Sequence, residues 1–140
     1  MKKIILICVS LLLLNNCTDE ADEHTYITRF KNVSSTTIEI KGYDSRDNLV
    51  FDETILTNNT SSDCTRSAES FLGISCNIVS VEIKFNNNKG YVCGKLNTNG
   101  LCFLNEKSPL GNDPSFVNLA NYTYEFVITQ EDFENAYDLP

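Results

Sequence analysis

The chain has 140 residues, with 11 basic and 19 acidic side chains and a formal charge of −8 at neutral pH. That length suits one compact domain with short appendages. The excess of acid disfavours nucleic-acid binding, where Lys and Arg must neutralise phosphates, and equally a polybasic attachment to anionic lipid.

The opening, MKKIILICVSLLLLNNC, has Lys2 and Lys3 at its start and an apolar run from Ile4 to Leu14. As a helix that run is about 16 Å long at ~1.5 Å per residue, too short for a hydrocarbon core of ~30 Å. A cleaved secretion signal over residues 1–16 is therefore expected rather than a spanning anchor. Its removal takes away Lys2 and Lys3 but no acid, so the charge becomes −10.

The run ends at Cys17, and here the segment resembles a bacterial lipoprotein signal. Leu14 stands at that family's apolar position, three before the cysteine, while Asn15 and Asn16 match the looser signals of the Bacteroidota. Asp19 and Glu20 resemble the acidic surface-export stretch found in such lipoproteins. The resemblance implies acylation of Cys17, palmitate among the chains, and a location at the outer membrane or cell surface. Each buried methylene contributes about 0.8 kcal/mol, so two or three chains hold a small protein firmly. Residues 17–25 then form an acidic tether, self-repelling and without hydrophobic periodicity, leaving residues 26–140 as a single β-rich domain. The rival role for Cys17 is a disulfide after ordinary signal cleavage.

From Tyr26 onward the apolar residues recur with period two. Val79, Val81, Ile83 and Phe85 alternate with Ser80, Glu82 and Lys84; Tyr122, Tyr124, Phe126 and Ile128 alternate with Thr123 and Glu125; Ile38 and Ile40 alternate with Glu39 and Lys41. Such patterns describe strands with one dry and one wet face. Further candidates are Tyr26–Phe30, Leu49–Leu56, Tyr91–Cys93 and Leu101–Leu104. Turn-rich stretches at 44–48 and 86–90 separate them. Ser67–Leu72 reads as one helical turn, and Thr57–Asp63 as a solvated loop. Thr129-Gln-Glu-Asp132 resembles a capping box opening a short helix from Gln130 to about Tyr137, with Phe133 and Tyr137 on its inner face. The expected fold is all-β: a small antiparallel sandwich, Ig-like or related, of about seven short strands with a C-terminal helix and two disulfides. A small closed barrel is the second choice.

With Cys8 in the signal and Cys17 acylated, Cys64, Cys76, Cys93 and Cys102 remain. An even number in an exported domain implies two disulfides, with three connectivities open. Nearest-neighbour pairing, Cys64–Cys76 and Cys93–Cys102, is favoured. Against the second bridge, Asn99-Gly100 is a two-residue hairpin signal that would set Asn97, not Cys93, opposite Cys102. A longer loop over 96–99 would restore the match. Zinc is disfavoured because the cysteines lack the close pairs that structural sites use, so no metal and no cofactor are expected.

Catalytic constellations are equally scarce. A Ser-His-Asp or Cys-His arrangement needs a histidine held in the fold, and the single histidine, His24, falls in the tether. The acids Glu39, Glu82 and Glu125 lie on wet strand faces, and Glu131, Asp132 and Glu134 sit at a helix N-terminus, where negative charge is favoured. Asp44, Asp47 and Asn48 offer oxygens for calcium, but Asx-turn chemistry explains them and the EF-hand spacing fails. The expectation is a non-catalytic surface module that binds a protein or glycan through its loops, at Asp44–Asn48, Thr57–Arg66 and Lys95–Gly100. The alternative is an envelope inhibitor of an attacking hydrolase such as lysozyme or a protease, steered by acidic charge toward a basic enzyme.

Overall fold

The computed structural model describes residues 22–74, 76–94, 100–104, 107–111, 114 and 116–140. The signal stretch 1–16 and Cys17 lie outside them, as do residues 95–99.

Alternation becomes two sheets. One has the order β4-β1-β8-β7, built from β1 (His24–Asn32), β4 (Cys64–Ala68), β7 (Phe116–Ala120) and β8 (Thr123–Ile128). The other has the order β3-β2-β5-β6-β9, from β2 (Ile38–Tyr43), β3 (Leu49–Ile55), β5 (Ser80–Phe85), β6 (Lys89–Gly94) and β9 (Tyr137–Asp138). The second sheet is antiparallel throughout, whereas β1 and β8 run parallel, Phe30 beside Phe126. A parallel pair cannot be closed by a hairpin, and here the chain crosses to the other sheet and back before β8 completes it.

The dry faces meet as the alternation requires. Phe30, Phe126 and Ile128 of the first sheet are fully buried, as are Ile38, Ile40, Val81 and Ile83 of the second. The Phe30 ring lies 5.8 Å from Phe51 across the sandwich and 6.0 Å from Phe126 beside it. Where β1 ends, Asn32 is wholly buried yet fully engaged. Its Nδ2 donates to the carbonyls of Thr36 (2.8 Å) and Ile55 (3.0 Å), and its Oδ1 accepts from the Ser34 amide (3.0 Å) and hydroxyl (2.7 Å). One side chain thus ties the end of β1 to the connection that leads into β2 and to the end of β3.

Both favoured disulfides are present, Cys64–Cys76 with Cα atoms 5.0 Å apart and Cys93–Cys102 at 4.7 Å. The two bridges take up all four cysteines of the described residues. Beside the second bridge the Val92 amide donates to the Leu101 carbonyl at 3.0 Å. The stretch whose register had argued against that bridge falls outside the described residues. Gly94 ends β6 with φ +83°, and a Cβ there would meet the Val79 carbonyl oxygen at 2.2 Å, so the close approach demands glycine.

Several expectations need correction. Nine strands form among the described residues where about seven were expected, because β4, β7 and β9 carry no alternating pattern. Ser67 and Ala68 belong to β4, held by pairing to β1, so no helical turn starts there. Leu101–Leu104 is not a strand: the disulfide and the stacking of Phe103 on Tyr91, centroids 3.8 Å apart, hold it instead. Val79 precedes β5 and is 41 % exposed. The helix α1 spans only Gln130–Glu134, after which Tyr137 joins β9. Its capping box is present, with Thr129 as N-cap and Asp132 answering it. Strand β1 starts at His24, inside the stretch expected to be tether.

Candidate functional site

Three arginines occur in the chain, and their environments differ. Arg29, on β1, is 2.9 Å from Glu125 and 3.6 Å from Asp63. Arg46 and Arg66 have no ion pair among the described residues. Both line one open groove of about 470 Å³, together with Asp44, Ile74, Asn77 and Ile78. Local chemistry fixes each wall. The β2–β3 turn is held by Asp44, whose Oδ1 accepts from the amides of Arg46 (2.8 Å) and Asn48 (3.0 Å). Its Oδ2 accepts from Asn48 Nδ2 at 3.0 Å, and Asp47 closes the turn with φ 62°. The carboxylate is thus committed to an Asx turn, which is what such residues do where a chain reverses. Arg66 projects from β4, opposite Tyr26 of β1. The Cys64–Cys76 bridge fastens β4 to the segment carrying Ile74, Asn77 and Ile78, so the disulfide joins one wall to the floor.

Two of the three loops expected to make contacts, 44–48 and 57–66, therefore contribute an arginine each to one groove. The third, Lys95–Gly100, has only Gly100 within the described residues, where it is exposed. Chemically the groove offers two planar, permanently charged guanidiniums beside a small apolar floor. Guanidinium pairs bidentately with carboxylate or phosphate and is more weakly hydrated than ammonium. The volume lies within the range of small-ligand sites.

A second cavity, of about 310 Å³, is lined by Tyr91, Phe103, Lys107, Thr129, Glu131 and Asp132 among others. Its polar groups mostly serve each other. Lys107 Nζ donates to Asp132 Oδ2 (2.7 Å) and to the Val127 carbonyl (3.0 Å), and lies 5.1 and 5.3 Å from the ring centroids of Phe103 and Phe126. Asp132 Oδ2 also accepts from the Thr129 amide and hydroxyl, at 2.6 and 2.9 Å. The Tyr91 hydroxyl donates to the Asp132 carbonyl at 2.6 Å. Burial, and then the nearby charge of Asp132, push the Tyr91 phenol far above its ordinary range, so it stays protonated and keeps donating. This cluster anchors α1 and the Phe103 segment on β8.

His24, expected in the tether, instead stacks on Tyr122, with centroids 4.3 Å apart. It neighbours aromatic rings rather than the cysteines, which are bridged. No family model matches the chain, and neither curated proteins nor solved structures yield a match.

Proposed function

We propose that this chain is a non-catalytic binding or accessory module of the outer membrane or cell surface. In this reading it is moored by acyl chains on Cys17 and presents the Arg46–Arg66 groove to a ligand bearing a single acid group, on a protein or a glycan. The observation that carries the reading is the pair of arginines, without ion pairs among the described residues, on one groove in a chain of net charge −8. A body so acidic repels an extended polyanion, so the groove favours one isolated carboxylate or phosphate beside an apolar group. Cross-linking and capture on the membrane-extracted protein tests this. A partner retained by the native chain is lost from R46A/R66A while the melting temperature is unchanged. Retention by the double variant, or turnover of a glycan or peptide panel at enzymatic rates, overturns the reading.

The acidic charge also favours a second reading, an inhibitor of a basic attacking hydrolase. It requires inhibition of lysozyme or a common protease at micromolar protein, and it falls if there is none.

A further inference from the structure

We propose that the end of the sandwich where β1 begins rests on the lipid–water interface of the membrane that holds the chain; the inference depends on the Cys17 anchor proposed above. Four strand ends converge there. β1 starts at His24, the antiparallel β4 ends beside it with Ala68 opposite His24, and the parallel β8 starts with Thr123 opposite Ile27. β7 runs antiparallel to β8 and so ends at the same place, Ala120 opposite Thr123.

This end is aromatic and partly uncovered. Tyr122 stacks on His24 and meets Tyr26 edge-on at 5.5 Å. Phe71 stacks on Tyr124 at 4.1 Å and contacts Tyr26 at 5.9 Å. The rim exposes Leu119 (47 %) and Tyr122 (43 %) to solvent. Tyr122 reaches the rim at a backbone cost, since Asn121 and Tyr122 both hold left-handed φ, 48° and 60°. Aromatic rings with one apolar and one polar side suit the headgroup level of a bilayer, where both sides are satisfied.

The tether supplies the occupant. His24 is seven residue steps from Cys17, a reach of at most about 25 Å at ~3.3–3.6 Å per residue. A chain acylated at Cys17 therefore keeps His24, and this end with it, within that reach of the bilayer. Strand β1 has nine residues, so the opposite end stands roughly 27 Å further out at ~3.3 Å per residue. Asp22, Glu23 and Glu69 lie near this end, and so does Arg66, opposite Tyr26, so the rim carries both signs and suits a zwitterionic surface.

The chain contains no Trp, so a single introduced one reports its own surroundings. The full-length protein, purified from the membranes of an expressing host, is reconstituted into phosphatidylcholine vesicles containing lipids brominated near the headgroup. The variants are Y122W and L119W at the tethered end, with L56W as the distal control. Leu56 is 57 % exposed and follows β3 near Asn58 and Asn59, which hydrogen-bond to Asn32 at the far end of β1. All three should float with the vesicles, Y122W and L119W losing most of their emission to bromine and L56W keeping its own. Having two reporters at the tethered end guards against one substitution disturbing the turn. Flotation without quenching at either position, or equal quenching of all three, overturns the docking and leaves the anchor standing. Failure to float removes the anchor, and the docking with it.

Discussion

Replacing Lys107 by methionine keeps the apolar stem against Phe103 and Phe126 and removes only the ammonium. In the folded protein that ammonium makes two charge-assisted hydrogen bonds, at 2.7 Å to Asp132 and 3.0 Å to the Val127 carbonyl. Its side chain is 19 % exposed and that of Asp132 only 12 %, so water screens the pair weakly. Bonds to charged groups contribute about 1.5–3 kcal/mol each, before the cost of desolvating the ammonium is set against them. Asp132 is not orphaned by the change, because the Thr129 amide and hydroxyl still donate to it. The expected net loss is about 2 kcal/mol, or roughly 10 °C in melting temperature for a domain of this size. Urea unfolding with the disulfides intact measures it, and a cycle with D132N isolates the pair at a coupling of about 1–2 kcal/mol. If K107M costs less than about 0.5 kcal/mol, or the two substitutions add, the ammonium is solvated and the cavity is no internal anchor.

Asn32→Leu removes four buried hydrogen bonds of a side chain that joins β1 to β3 and to the β1–β2 connection. The expected loss is about 3 kcal/mol by equilibrium unfolding, and a neutral result would mean that water replaces those bonds. Removing the Cys93–Cys102 bridge as C93S/C102S frees a loop of nine residues' separation. Loop entropy puts its loss near ~2.7 kcal/mol, and an unchanged melting temperature would refute the estimate. Tyr91, raised above its unfolded pKa, contributes stability that is complete below about pH 10 and is lost as pH rises toward the folded value. The difference between native and Y91F unfolding curves should therefore shrink above pH 10. A difference independent of pH would contradict the burial of that phenol.

How much of this was written in the sequence depends on whether a neighbour along the chain or across the fold decides a residue's place. Val81, Ile83 and Phe85 announce β5 because a strand between two others in its sheet, with one face on the core, must alternate. Thr129 and Asp132 announce the start of α1 because capping is local. Strand β7 stayed hidden because it is a sheet edge, exposed from Val117 to Ala120, so no dry face imposes a pattern on it. The polar β4 stayed hidden too, since pairing to β1 and the Cys64–Cys76 bridge hold it rather than its own hydrophobicity. His24 looked like tether because its partner, Tyr122, is 98 residues away. The groove was half legible: its two loops stood out as polar connections, but nothing local says that Arg46 and Arg66 share a site. The disulfide and the β1–β4 register bring that about.

The reading of function rests on Cys17, and intact mass of the membrane-extracted protein tests it most directly. The account predicts a chain that begins at Cys17, carries the mass of its acyl groups, and contains two internal disulfides. A mature chain that begins elsewhere, or begins at Cys17 without added acyl mass, would contradict it.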